Sequence, residues 1–202
     1  MKIGVLASGT GSNLQAILDR VHGREVEVVG VGSDKAGAQA LDRAQGVGVP
    51  VAVFARADYA DREARDRAMA AWLHEQGAEL VVLAGYMQLV TPAFLSAFPM
   101  RVINVHPALL PAFPGLRAIE QAVEYGAKVF GVTVHFVDEG VDSGPVILQR
   151  SIEVLNAADP GEIRELLRPV EHDLLTSAVA LIAQGRVRQD PDHPRRVLVE
   201  VP

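Results

Sequence analysis

The feature that most constrains the fold is the alternation of short valine-rich runs with segments of helical spacing. Three apolar runs near the start have the length of strands: KIGVLA, VEVVGVGS and PVAVF. Between them lie LQAILDRVH and AGAQALDRAQ, whose apolar residues recur every three or four positions. The strands are nearly continuous in valine, which is typical of strands covered on both faces. The first third therefore predicts βαβ units in a parallel sheet.

The same rhythm continues to the end of the chain. A charged helix is predicted to bury Met69, Trp72 and Leu73, and ELVVLAG and RVINVH follow as strands. VFGVTVHFV and PVILQRSIEV predict two further strands joined by an acidic loop. A long helix from about Asp159 to Gln184 and a C-terminal hairpin complete the pattern. We expect an α/β fold built on a mostly parallel sheet.

Composition excludes several classes of protein. A chain of 202 residues suits a single domain, and its net charge of −6 argues against a protein that grips a nucleic-acid backbone. The absence of cysteine excludes disulfides, thiol nucleophiles and thiolate metal sites. The sequence has neither a signal peptide nor an apolar run of about 18 residues, so we expect a cytoplasmic protein without a membrane segment.

A glycine-rich turn, SGTGSN from Ser8 to Asn13, directly follows the first strand. Glycines let a ligand approach the backbone, and the N–H groups that open the next helix attract phosphate. The turn is not a P-loop, and Leu14 replaces the third glycine of a dinucleotide-binding fingerprint. The alternative is an ordinary strand-to-helix turn capped by Ser12 or Asn13.

A second loop, AGYMQLVTP, follows the fourth strand and leads to a helix near Thr91, with Pro92 in its first turn. Its residues are unusually apolar for a loop, so they could line a pocket for a flat heterocycle. Packing beneath neighbouring helices is the alternative, and this stretch alone favours it.

The strand RVINVH ends in two polar residues on one face. Side chains alternate along a strand, so Asn104 and His106 project together at its carboxyl end, where ligands bind in open α/β sheets. An amide can donate to an oxyanion, and an imidazole exchanges protons near neutral pH. The alternative is a pair that caps the following turn, PALLPAFPG.

The acidic loop within HFVDEGVDSGPV carries Asp138, Glu139 and Asp142. Such loops are usually solvated turns, but one acid could pair with His106 and fix its tautomer. His135 is either a core histidine or a residue that lines the site. The histidines show no metal-ligand spacing, so no metal is expected.

Four stretches occur together in the order of a known family: SGTGSNLQ, VVLAGYMQLVTPAFL, INVHPALLPAFPG and GVTVHFVDEGVDSGPVILQ. The chain closely resembles the phosphoribosylglycinamide formyltransferases, folate-dependent enzymes of purine biosynthesis. The resemblance weakens only in the C-terminal hairpin. It implies the formyltransferase fold, a single domain over 1–202 with a Rossmann-like twisted sheet and helices on both faces. Within it, 1–100 would form the nucleotide-binding half and 101–202 the catalytic and folate-binding half.

The resemblance also implies a reaction and its catalytic residues. The formyl group of 10-formyltetrahydrofolate, the co-substrate, would pass to the amine of glycinamide ribonucleotide without a metal. Asn104 and His106 would stabilise the oxyanion, and Asp142 would hold the charge of the histidine and assist proton transfer. The family also implies a cis peptide at Leu110–Pro111. Whether the chain is a monomer or a homodimer stays open.

Binding residues follow from the same match. Gly11, Ser12 and Asn13 would hold the ribonucleotide phosphate, and Glu171 its ribose hydroxyls. The residues implied for folate are Arg62, Met87, Gln88, Leu89, Val90, Asn104, Asp138 and Asp142. Two positions depart from many family members, which have serine in place of Ala108 and arginine in place of Gln88.

Two other functions are alternatives to formyl transfer. A formyltetrahydrofolate deformylase shares the catalytic residues, but usually carries an extra N-terminal domain, whereas here the first strand begins at Lys2. A non-catalytic nucleotide-binding module would explain the glycine-rich turn. It would not explain the polar pair at a strand end and the acidic loop.

Overall fold

Valine-rich strands pair in parallel in the first of two compact units, Met1–Asn104, of a computed structural model that describes residues 1–200. Its strands are β1 (Lys2–Leu6), β2 (Glu27–Ser33), β3 (Val51–Val53), β4 (Leu80–Leu83) and β5 (Val102–His106). β1 pairs with β2 and β4, β2 with β3, and β4 with β5, all in parallel. Every residue of β4 is buried, as expected for a strand covered on both faces.

Helices connect these strands at the predicted places. They are α1 (Ser12–Arg20), α2 (Gln39–Gln45), α3 (Arg62–Glu75) and α4 (Pro92–Ala97), with a short 3-10 turn at Arg56–Asp58. The alternative in which Ser12 or Asn13 caps α1 is wrong, because Gly11 is the N-cap and has a positive φ of 71°. No helix within residues 1–200 is both long enough and apolar enough to cross a membrane.

The second unit, Val105–Pro202, begins within β5. Its further elements are α5 (Ala118–Tyr125), β6 (Val129–Phe136), β7 (Val146–Glu153), α6 (Pro160–Ala183), β8 (Val187–Gln189) and β9 (Val197–Val199). The β6–β7 and β8–β9 pairs are antiparallel, and the seven-stranded sheet has the order β3-β2-β1-β4-β5-β6-β7. The mostly parallel α/β fold, the long helix and the C-terminal hairpin are thus confirmed.

A buried threonine fixes the loop that follows β5. The Oγ1 atom of Thr133 donates to the carbonyl of Ala108 at 2.7 Å and accepts the Leu110 N–H at 3.1 Å. Gln149 on β7 donates from Nε2 to Thr133 Oγ1 at 2.9 Å and to the Leu110 carbonyl at 2.8 Å. These bonds use the whole capacity of the hydroxyl. The Leu110–Pro111 bond is cis, as the family resemblance implied.

An ion pair is buried in the apolar stripe of α3. Asp66 Oδ1 accepts from Arg65 Nε at 3.0 Å and from Nη2 at 2.8 Å, and both side chains are almost completely buried. Asp66 Oδ2 accepts the Thr91 N–H at 2.6 Å, which ties α3 to the start of α4. The predicted burial of Met69 and Leu73 is confirmed. Trp72 is only partly buried.

We expect Asp66→Ala to lower the free energy of unfolding by about 3–5 kcal/mol, because it leaves a buried guanidinium unpaired. Glu63→Ala is the matched control in the same helix, since Glu63 pairs with Arg67 on the surface at 3.0 Å. That change should cost less than about 1 kcal/mol. Urea unfolding measures both, and equal losses would contradict a special role for the buried pair.

Candidate active site

The candidate site begins at the carboxyl end of β5. This strand runs from Val102 to His106, so alternation places Asn104 and His106 on one face, as predicted. His106 is buried with 5% of its surface exposed, and Asn104 is partly buried. A buried imidazole needs hydrogen-bonding partners, and the structure supplies them for His106.

Both nitrogens of His106 face oxygen atoms. Nδ1 lies 3.3 Å from Asp142 Oδ2, and Nε2 lies 2.9 Å from the carbonyl oxygen of Phe113. A ring that carries both protons satisfies both contacts, since each oxygen is an acceptor. The predicted pairing of an acid from the acidic loop with His106 is therefore present. The Phe113 bond also means that His106 steadies the following loop, as the capping alternative proposed.

Asp142 receives contacts from three sides. Its Oδ2 accepts the Gly115 N–H at 2.8 Å, and its Oδ1 lies 3.6 Å from Nε2 of His135. Burial raises the pKa of Asp142, but the His135 contact, the Gly115 hydrogen bond and the charge of His106 together hold the pKa below its usual range. The carboxylate is thus favoured in its charged form, which suits a partner for an imidazolium.

His135 combines the two roles that the sequence left open. It is buried to 1% exposure on β6, and its Nδ1 donates to the carbonyl of Phe136 at 2.8 Å. Its other nitrogen faces Asp142. The residue belongs to the core and also contacts the carboxylate of Asp142.

The acidic loop, residues 138–144, is held together from within. Asp138 Oδ1 accepts the Gly140 N–H at 3.1 Å and the Ser143 hydroxyl at 2.6 Å. A Cβ on Gly144 would overlap the carbonyl oxygen of Phe136. The expectation of a solvated turn is correct for the exposed Glu139 and wrong for Asp138 and Asp142, whose side chains are partly buried.

The glycine-rich turn packs closely against α2 and is hydrogen-bonded to it. Gly11 lies so close to α2 that an added Cβ would be 2.7 Å from the Cα of Ala40. Arg43 donates from Nε to the Thr10 carbonyl at 2.7 Å and from Nη1 to Gln15 Oε1 at 2.8 Å. As N-cap, Gly11 offers no side chain to the N–H groups that open α1. The backbone of the turn is therefore held against α2 and carries no side chain at the N-cap of α1.

The loop after β4 is less buried than the favoured packing alternative required. Tyr86 is buried, but Met87 and Leu89 are each 57% exposed, so the packing prediction is correct for the first residue only. The loop is shaped by polar contacts in the same unit. Ser8 Oγ accepts the Met87 N–H at 2.9 Å, and Arg62 Nη2 donates to the Leu89 carbonyl at 2.9 Å.

Comparison with known proteins identifies the family. The model of a family described as "Formyl transferase" matches residues 1–179. The chain belongs to the formyl transferase family.

Several members of the family are closely similar. A phosphoribosylglycinamide formyltransferase from Mycobacterium tuberculosis is 43% identical over 90% of this chain and 85% of its own length. The crystal structure of glycinamide ribonucleotide transformylase 1 from Symbiobacterium toebii superposes with a TM-score of 0.94 at 46% identity, covering 100% of this chain and 94% of that one. The trifunctional purine biosynthetic protein adenosine-3 from Drosophila melanogaster is 38% identical over 95% of this chain, which spans only 14% of its length.

In this formyl transferase the remaining predicted residues have varied surroundings. Gln88 donates to Asp34 Oδ2 at 3.2 Å, and Asp138 uses its carboxylate inside the acidic loop. Asn13 is buried, Val90 is partly buried, and Glu171 lies in the middle of α6. No group of three or more metal-ligating side chains occurs within residues 1–200.

Sequence reasoning missed the contributions of the backbone. The Phe113 carbonyl and the Gly115 N–H complete the surroundings of His106 and Asp142. No side-chain pattern could reveal them, because any residue type carries these groups. Arg43 was detectable in principle, as a cation one turn into the helix that packs on the glycine-rich turn.

The lowered pKa of Asp142 predicts a pH-dependent stability difference for Asp142→Asn. An unfolded carboxyl binds protons near pH 4 that the folded one does not, so its contribution is present above that pH and is lost as the pH falls. Asparagine tolerates the positive φ of 49° at this position, so the change removes mainly charge. We expect the variant to be less stable at pH 7, with a gap that closes toward pH 3 in urea unfolding. A gap that widens on acidification would contradict this.

Proposed function

We propose that this formyl transferase moves the formyl group of 10-formyltetrahydrofolate to the amine of glycinamide ribonucleotide, yielding formylglycinamide ribonucleotide and tetrahydrofolate in purine biosynthesis. The pairing of His106 with Asp142 at the end of β5, two residues after Asn104, is the observation that carries the proposal. The names of its relatives agree with this reaction.

The chemistry needs charge stabilisation more than activation of a nucleophile. A neutral amine attacks the formyl carbon directly, so a new C–N bond forms while the carbonyl oxygen becomes an oxyanion. The amine nitrogen then loses a proton, the oxyanion re-forms the C=O bond as the bond from carbon to N10 breaks, and N10 takes up a proton. Neither a covalent enzyme intermediate nor a metal is required for this sequence.

Asn104 and His106 are the proposed oxyanion donors. Asp142 occupies Nδ1 of His106, so Nε2–H is the donor left for substrate. In this structure its acceptor is the Phe113 carbonyl at 2.9 Å, which the oxyanion would replace. Asp142 holds the imidazolium in orientation and assists the proton transfer between the two nitrogens. One such donor is worth about 3 kcal/mol in the transition state.

The two substrates would use different loops. We assign the phosphate to Gly11, Ser12 and Asn13, supported by the clamped glycine turn, and the ribose hydroxyls to Glu171. The residues assigned to folate are Arg62, Met87, Gln88, Leu89, Val90, Asn104, Asp138 and Asp142. The exposed apolar side chains of Met87 and Leu89 suit a flat ring, whereas Asp138 acts by shaping the acidic loop.

A single assay tests the reaction. We expect the purified protein to consume 10-formyltetrahydrofolate only when glycinamide ribonucleotide is present, because the amine is the acceptor. Absorbance of the folate product reports turnover. Turnover that ignores the ribonucleotide would point to a deformylase, and no turnover with either mixture would point to a binding module.

We expect His106→Ala and Asp142→Ala to lower kcat by roughly 100-fold or more, while the Kd for the ribonucleotide changes little. Both residues are assigned to the transition state rather than to ground-state binding. His74→Ala is the matched control, because it also removes an imidazole but one that is exposed and has no assigned role in the reaction. This ring stacks on Phe98 with centroids 4.2 Å apart. Steady-state kinetics and calorimetry measure the two quantities. A near-normal kcat in both site variants would exclude the assigned roles.

A further inference from the structure

The C-terminal hairpin lies beyond the part of the chain that matches the family model. The match ends at residue 179, and the hairpin comprises β8 (Val187–Gln189) and β9 (Val197–Val199). Its connecting turn is well ordered by its own bonds. Asp190 N–H donates to the Arg196 carbonyl at 2.9 Å, and Arg196 N–H donates to the His193 carbonyl at 2.7 Å. The turn therefore presents its side chains from a defined backbone.

Two neighbouring arginines of this turn point to different partners. Arg196 Nη1 lies 3.6 Å from Asp190 Oδ2, so its contact stays inside the hairpin. Arg195 Nη2 instead donates to the carbonyl oxygen of Ser143 at 2.6 Å. Only the second of these contacts joins the hairpin to the acidic loop.

The contacted carbonyl is well placed to influence the catalytic carboxylate. Ser143 directly follows Asp142, and its hydroxyl donates to Asp138 within the loop. The acidic loop is thus held by a hydrogen bond within it, to Asp138, and by a second one from the hairpin, donated by Arg195. The guanidinium also brings a positive charge to a segment with the acids Asp138, Glu139 and Asp142, which favours the contact beyond a neutral hydrogen bond.

We propose that Arg195 is a positioning residue, through which the C-terminal hairpin holds the acidic loop in the conformation that aims Asp142 at His106. The contact is made by a guanidinium and a backbone carbonyl, so it depends on residue 195 but not on the type of residue at 143. Its effect on catalysis rests on the proposed function, whereas its effect on loop mobility does not.

Hydrogen exchange tests the contact without any substrate. We expect Arg195→Ala to increase amide exchange over residues 139–144 by about fivefold, the effect of losing one hydrogen bond. Arg196→Ala is the matched control, one residue away and of equal charge, and it should leave that segment unchanged. Arg195→Lys should restore most of the protection, since an ammonium can donate to the same carbonyl.

Kinetics test the consequence for the reaction. We expect Arg195→Ala to lower kcat and to raise KM for the folate, each by about three- to tenfold, with KM for the ribonucleotide unchanged within twofold. A general loss of folded protein would lower kcat alone, because KM does not depend on the active fraction. Arg195→Lys should recover both values, and Arg196→Ala should match the parent protein.

The outcomes separate the two proposals. If the parent protein transfers no formyl group, the proposed function fails, and the exchange comparison still decides whether Arg195 holds the loop. If Arg195→Ala and Arg196→Ala show the same exchange over residues 139–144, the positioning role is overturned. Equal KM values for folate in these two variants, in an active enzyme, would overturn it as well.

Discussion

The carboxylate of Asp142 is the point on which the second unit of this protein depends. It joins the end of β5 through His106, the following loop through the Gly115 N–H, and β6 through His135. A carboxylate with this set of partners stays charged although it is partly buried, because the contacts more than offset the loss of water. Removing it would take away an acceptor that the two buried imidazoles share, so the carboxylate contributes to the stability of this unit.

Much of this arrangement is predictable from residue spacing. Valine-rich runs separated by helical segments predict the parallel sheet, and period-two alternation in RVINVH predicts that Asn104 and His106 share a face. The pairing of His106 with an acid was a prediction from chemistry, and the identity of that acid came from the family resemblance. The alternation along β5 is a local pattern, whereas the contact of His106 with Asp142 joins segments that are distant in the sequence.

The failures of prediction also have physical causes. Charged residues are normally assigned to the surface, yet Arg65 and Asp66 lie four and three positions before Met69, on the same buried face of α3. Their spacing from Met69 indicates burial, but charged residues are not normally predicted to be buried. For the glycine-rich turn, the alternative of a polar N-cap is wrong, because the cap is Gly11 and the close approach of Ala40 leaves no room for a Cβ there. Met87 and Leu89 are exposed because backbone bonds to Ser8 and Arg62, not apolar packing, shape their loop.

The closed structure of the acidic loop has a consequence for how the site can respond to a ligand. Asp138 links Gly140 to Ser143, and Gly144 fits against the Phe136 carbonyl with no room for a side chain. These contacts restrict the conformations that the segment containing Asp142 can adopt. A displacement of Asp142 would therefore disturb the contacts of the residues on either side of it. A segment restricted in this way loses less conformational entropy if a ligand binds against it.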